Sequence, residues 1–418
     1  MSDRYFPIRT ETSCRLKWSW STLYLNAGHT GSCHRASVSN LTTEEFDNFH
    51  NTPVKIRDRS VMLQGQWPGN GCEYCRDIEK VGGVSDRLFQ IQVPNIYPDE
   101  LNYDTTLTNV TPTVLEIFFS NTCNLACIYC DARLSSVIQS ENKKFGGAIL
   151  PELNFNYVDN RYKELVPKFW NWFEKNYKKL KRLQLLGGEP FLQRDILKLI
   201  DYFDQNPHPE LEFNLVTNLM LPPDVLNPTL EKLKTLKNSG KLKRIDINVS
   251  VDCWGETQEY IRHGFNTETF EQNLLMLMEK NAFRIGLVST VTSLSIPSMP
   301  LLAVKYNEWC KKQKIFWYMH FVLPIDNSVF DPTIVEYSYY KPHIDTMYNL
   351  LPSETWDDKT TLEVFTGIVE KLKKECNTQH HKLNRLVYYL DKNDSRRNLD
   401  WKNVFSDLYN FIETNHVV

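Results

Sequence analysis

The sequence predicts an α/β chain: a partial (β/α)6 barrel with a small domain before it and a helical extension after it. Three observations carry that prediction. Between residues 112 and 325, short β-branched or aromatic runs alternate with longer amphipathic stretches. Strict βα alternation calls for parallel strands joined by right-handed crossovers. Residues 1–111 are turn-rich and lack long periodic runs, and residues 326–418 show helical periodicity.

The strand candidates are VLEIFF (114–119), RLQLL (182–186), LEFNLVT (211–217), RIDINVSV (244–251), RIGLVSTV (284–291) and IFWYMHFV (315–322). Helical patterns separate them. In 162–180, Leu165, Phe169, Trp172, Phe173 and Leu180 recur close to a 3.6-residue period, and 269–280 repeats the pattern. Beyond the barrel, 361–375 and 401–413 are amphipathic. Proline and polar clusters near 93–112 and 324–332 mark the boundaries, giving domains 1–111, 112–325 and 326–418.

Composition narrows the function. Among 418 residues, 48 Lys and Arg face 51 Asp and Glu, so there is no basic excess of the kind nucleic-acid or membrane-surface binders show. No apolar run reaches the length of a spanning helix, and the N-terminus lacks the apolar stretch of a signal peptide. A cytoplasmic location is expected, with the 10 cysteines as reduced thiols. In such a setting, grouped cysteines point to metal binding or catalysis.

Two groups stand out. Cys123, Cys127 and Cys130 give CxxxCxxC directly after the first barrel strand. Three thiolates can hold a 4Fe–4S cluster, which ordinarily takes four. One iron then keeps open positions, as a catalytic metal does. A zinc knuckle with a borrowed fourth ligand is the other reading. The location favours chemistry, because barrels place functional groups in loops at strand C-termini. The next strand ends in Gly187-Gly188-Glu189-Pro190. Two glycines allow close backbone approach to a ligand, and the carboxylate suits an amino group. Alone, that turn reads equally well as a plain strand-to-helix connection.

CNLACIYC followed by GGEP resembles the radical SAM superfamily over about residues 112–325. The resemblance implies a radical SAM barrel with a SAM-binding 4Fe–4S cluster on Cys123, Cys127 and Cys130. It further implies that Gly187, Gly188 and Glu189 contact the methionyl amino group of S-adenosylmethionine. Tyr129 matches the aromatic residue near the adenine, and Asn218 matches a Thr-Asn strand end. Ser250 and Arg262 resemble the residues that bind the SAM carboxylate. Many relatives have Asp-Gly after that strand, whereas this chain has Asp252-Cys253-Trp254-Gly255.

The second group is Cys14, Cys33, Cys72 and Cys75. Four cysteines in two groups fill either a zinc site or a 4Fe–4S cluster, and spacing alone leans to zinc. The pattern Cys14-x13-Gly28-x4-Cys33, a gap, then Cys72-x2-Cys75 resembles the SPASM/Twitch auxiliary-cluster domain, placed here before the barrel. No further cysteine follows closely, which matches the shorter Twitch form. This resemblance implies a second, auxiliary 4Fe–4S cluster.

The expected function is therefore oxidative modification of a peptide or protein, begun by a 5′-deoxyadenosyl radical. Dehydrogenation of a small-molecule alcohol is the alternative, and a zinc- or cluster-stabilised interaction protein is the non-enzymatic rival. A reducing donor such as flavodoxin or ferredoxin is implied. Cys253 reads either as a barrel-mouth thiol or as a buried packing residue. Cys310, Cys376 and the pair His380-His381 read as structural or solvated.

Overall fold

The computed structural model describes residues 11–33, 38–69, 71–80, 85–91, 107–154, 161–321, 329–352 and 356–415. Most of the two predicted boundary stretches, near 93–112 and 324–332, lies outside these residues, as does Val322 at the end of the sixth predicted strand. The chain gathers into two units. One takes Met1–Asn121, Tyr157–Leu215 and Thr235–Ile245; the other takes Thr122–Asn156, Val216–Lys234 and Asp246–Val418.

All six strands form: β1 (Val114–Phe118), β2 (Arg182–Leu186), β3 (His208–Thr217), β4 (Leu242–Ser250), β5 (Arg284–Val291) and β6 (Phe316–Phe321). Helices stand between them, including Tyr162–Asn176, Arg194–Gln205, Pro223–Asn238, Thr267–Glu279 and Met299–Cys310. In the first unit β1 pairs parallel with β2, and β2 with β3. In the second, β4 pairs parallel with β5, and β5 with β6. This is the βα succession of a partial barrel. Every residue of β1 is buried, as expected of a parallel strand covered on both faces.

Buried charge within the first unit is matched across strands. Arg182 on β2 stands opposite Glu212 on β3 and donates to it from Nη2 at 2.8 Å, where Arg244 also reaches. Directly opposed pairs of unlike charge are the stabilising unit of a sheet.

The N-terminal region is more regular than its turn-rich sequence suggests. Strand Trp20–Tyr24 runs parallel to β1, in register from Trp20 with Val114 to Tyr24 with Phe118. It also pairs antiparallel with His29–Gly31. The turn between them passes through Gly28 at φ 68°, where an added Cβ would lie 3.1 Å from the Arg161 side chain. Helix Pro53–Leu63 follows, its N-cap Thr52 accepting from Lys55 N–H at 3.4 Å. Thr before Pro is a legible helix start. The strand WSTLY gives no alternation because nearly all of it is buried.

The C-terminal part is helical: Tyr337–Leu350, Trp356–Glu375, His380–Arg397, Trp401–Val404 and Ser406–Thr414. No helix among the described residues is long and apolar enough to cross a membrane.

Candidate active site

In the second unit, the loop carrying Cys123, Cys127 and Cys130 is held as a ribbon. Ala126–Cys127 pairs antiparallel with Arg262–His263, which sets Cys127 opposite Arg262. Ile128 N–H donates to Ile261 C=O at 2.9 Å, and Cys130 N–H to Cys127 C=O at 3.0 Å. Gly264 lets the strands approach; a Cβ there would sit 3.1 Å from Asn124 O and from a Leu125 methyl. The three thiols are half-buried. Leu125 N–H points at Cys123 Sγ at 3.5 Å, Asn218 Nδ2 at 3.9 Å, and Arg262 Nη1 reaches Cys127 Sγ at 4.0 Å.

Arg262 is fixed by Asp252. Its Nε and Nη2 each donate to that carboxylate at 2.9 Å, a bidentate pair. Asp252 is fully buried and also accepts from Tyr129 Oη at 2.6 Å and from Thr290 N–H at 2.8 Å. The Arg262 guanidinium lies 5.6 Å from the Tyr129 ring centre. Tyr129 and Arg262 thus share one network through Asp252, whose role the sequence reading missed. Its signal was its place directly after the VSV strand. Gln258 braces the same turn, its Oε1 accepting from the N–H groups of Asp252 and Cys253 at 3.1 Å. Cys253 is buried, its thiol facing Gln258 Oε1 at 3.7 Å. Ser250 is half-buried at the end of β4, in register with Val288.

Asn218 ends β3 with two bonds. Its Nδ2 donates to Asn124 Oδ1 and its Oδ1 accepts from Met220 N–H, both at 2.8 Å. Leu219 follows at φ 57°, a strained value for a branched side chain. Buried Asn273 holds it there by donating to the carbonyls of Leu219 and Leu221, both at 2.8 Å.

In the first unit, Gly187 and Gly188 turn at φ 81° and 55°. A Cβ on Gly187 would lie 2.3 Å from Phe118 Cδ1, so only glycine fits. Buried Glu189 follows and accepts from Phe191 N–H at 3.1 Å, and Gln193 Nε2 donates to Gly187 C=O at 2.7 Å.

The first unit also gathers the four N-terminal cysteines. Cys14 and Cys72 lie in one buried cluster with Leu16, Trp20, Met62 and Val114, and Cys33 packs against it. Burial pushes the Cys14 thiol up, and the charges of Cys33, Cys75 and Cys72 push it further. Burial likewise raises Cys72 and Cys75 to about 11. A cation lies close by. Buried Lys17 pairs with Asp58 at 2.8 Å and faces Cys72 and Cys33. Buried Lys55 donates to Ser21 Oγ and Thr30 Oγ1 at 2.8 Å, and burial, with the charges of Arg59 and Lys17, holds it well below its ordinary value. Sequence pattern alone gives no cue that these lysines are inside.

Both thiol sets suit an iron–sulfur cluster by donor chemistry. In the trio, burial pushes Cys130 well up, and ionised Cys127, Asp131 and Cys123 add to it. Burial also raises Cys127, opposed by Arg262 and Arg397. Thiols that resist ionising together are deprotonated by a cationic group bound among them. The N–H groups aimed at sulfur are the outer partners that tune a cluster. Among the described residues, no three His, Cys, Asp or Glu side chains converge to hold a single metal ion.

Comparison with known proteins gives the following. Residues 117–294 match the family described as the Radical SAM superfamily. No curated protein matches the sequence. Among solved structures, native anSMEcpe with bound AdoMet is 15% identical over 56% of this chain and 58% of that one, at a TM-score of 0.37. SuiB from Streptococcus suis bound to S-adenosylmethionine is 15% identical over 78% and 69%, at 0.38. SuiB bound to its precursor peptide SuiA is 16% identical over 69% and 58%, at 0.35. The chain spans a little over half the length of the anSMEcpe structure.

Proposed function

We propose, from the match of residues 117–294 to the Radical SAM superfamily, that the chain is an enzyme using S-adenosylmethionine to start oxidation of a peptide or protein. The observation that carries this reading is the ribbon that sets Cys127 against Arg262, with Cys123 and Cys130 on the same loop. Cys123, Cys127 and Cys130 would hold a 4Fe–4S cluster, which when bound and reduced would supply the electron for reductive cleavage of SAM.

The protein's own residues bind and orient. The turn Gly187-Gly188-Glu189 offers close backbone approach and a carboxylate suited to an amino group. Arg262 and Ser250 receive the carboxylate, with Asp252 holding the guanidinium in one orientation. Tyr129 and Asn218 line the nucleoside side. Alignment of the radical with one substrate C–H bond is the protein's contribution to rate.

Cys14, Cys33, Cys72 and Cys75 would hold a second 4Fe–4S cluster, which with four cysteine ligands would supply electron storage rather than a substrate-binding iron. With such an acceptor, SAM would be consumed, one methionine and one 5′-deoxyadenosine per turnover. A flavodoxin- or ferredoxin-type protein supplies the reducing electron. Buried Lys17, which pairs with Asp58 and faces Cys72 and Cys33, supports an anionic metal–thiolate group there.

The test is anaerobic reconstitution followed by a dithionite-driven SAM cleavage assay. Replacing Cys123, Cys127 and Cys130 together with Ala is expected to reduce 5′-deoxyadenosine to background while about four irons remain. Undiminished cleavage in that variant would overturn the assignment.

A further inference from the structure

The radical SAM match ends at residue 294, yet a helix beyond it reaches back to the cysteine loop. Helix His380–Arg397 carries three residues that bond to the backbone there. Tyr389 Oη donates to Ile128 C=O at 3.1 Å. Arg397 Nη1 donates to Ala126 C=O at 2.9 Å. Those two carbonyls flank Cys127 on either side. Arg396 Nη1 donates to Gly147 C=O at 3.1 Å, just past the helix that follows the loop.

The same helix also ties both arms of the ribbon. Arg397 makes a bidentate pair with Glu141 at 3.0 and 2.8 Å, on helix Ser136–Phe145. Across the ribbon, Tyr260 donates to Asp394 Oδ1 at 2.6 Å, and Asn393 Nδ2 donates to Tyr260 Oη at 3.1 Å. Tyr260 lies two residues before Arg262. The helix end itself is fixed, because Asn398 takes a left-handed conformation (φ 55°) and its N–H caps Asp394 C=O.

We propose that helix His380–Arg397 is a positioning clamp for the cysteine loop, with Tyr389 and Arg397 as its working residues. They set the seat of Cys127, while Asn393 and Asp394 on the same helix hold Tyr260, two residues before Arg262. Neither touches the reacting atoms. They act as outer partners act at metal sites, by holding a ligand's backbone rather than its sulfur. The two bonds differ in strength, since Arg397 brings a charge and Tyr389 does not.

The proposal rests on the cluster assignment above, and its test separates the two. Full-length wild type, Tyr389→Phe, Arg397→Met, Arg397→Lys and the double variant Tyr389→Phe/Arg397→Met are reconstituted anaerobically. Iron and sulfide content, the electron paramagnetic resonance spectrum of the reduced protein, and iron release to a chelator are recorded. The thermal midpoint of each apo-protein is measured alongside. A clamp predicts iron release from the trio site about 10–100-fold faster in the double variant, with an altered resonance spectrum. Tyr389→Phe has the smaller effect, and Arg397→Lys restores part of what Arg397→Met loses. Release rates and spectra equal to wild type, with iron bound in all variants, would overturn the clamp and leave the cluster assignment standing. Changes that track the apo thermal midpoint alone, without spectral change, would reduce the helix to scaffolding and also overturn it. A wild type that binds no iron at the trio would overturn the cluster assignment, and the clamp with it.

Discussion

The two cysteine sites are built on opposite plans. Cys14, Cys72 and Cys75 are buried, in a pocket of aromatic and aliphatic side chains with two interior lysines. Cys123, Cys127 and Cys130 stand half-exposed on a loop, with N–H groups aimed at sulfur and an arginine held beside them. The first set offers four thiols. The second has three, and its neighbours are polar groups that can receive a ligand. A closed thiolate site suits structure or electron storage, and an open one suits substrate binding, as with closed and open zinc sites. The contrast also locates charge. Buried Lys17, paired with Asp58, faces the first site, whereas Arg262 at the second is paired with Asp252.

The contrast breaks most visibly if the closed site is emptied. Cys14→Ser with Cys75→Ser is expected to remove about four irons, leave four at the trio, and lower the thermal midpoint strongly. Metal analysis and calorimetry check this. Stoichiometric zinc in the wild type, with only four irons, would show that the buried site is a zinc site.

A subtler change separates the lysine's two partners. Lys17→Met strips Asp58 of its buried cation, and breaking such pairs costs about 3–5 kcal/mol, reduced here by Arg57 at 3.0 Å. Adding Asp58→Asn should restore most of that stability. It should not restore metal occupancy or reduction potential at the buried site, because the thiolates still lack their cation. Full recovery of both would mean that Lys17 serves Asp58 alone.

The smallest expected effect concerns pH. Burial holds His50 well below its ordinary value, helped by the charges of Arg59 and Lys55, and burial also lowers His208. The unfolded chain therefore takes up these protons first as pH falls. Their contribution to stability is constant above about 6.5 and declines below it, until the folded-state values are passed. Thermal midpoints at pH 7 and pH 5 measure the slope. His208→Gln should flatten it modestly and leave the trio site unchanged.

The sequence was most legible where one periodicity dominates. The strands show in the apolar runs because they carry buried apolar residues, and helices such as Tyr162–Asn176 and Arg194–Gln205 show because they keep one apolar face. The trio shows because its spacing is short and local. What escaped depends on contacts between distant residues. Lys17 and Lys55 are default surface residues, and only the fold puts them inside. Asp252 was visible as a letter, but its bond to Arg262 needed the ribbon. The helix at 380–397 carries Tyr389 and Arg397, and no local pattern tells which loop they meet. Strand Trp20–Tyr24 was missed because it lacks alternation, and its partner lies about ninety residues later.

That last pairing has a consequence in time. Synthesis delivers all four N-terminal cysteines before β1 exists, and strand Trp20–Tyr24 cannot zip onto it until residue 118 has emerged. At roughly 5–20 residues per second, the interval from Cys75 to Phe118 lasts some seconds. During that interval the thiols lack their sheet, and non-local pairing of this kind is intrinsically slow. Newly made chains should therefore be most vulnerable to oxidation and mispaired disulfides before the first barrel strand is complete, and an oxidising pulse during translation should damage them far more than the same pulse after it.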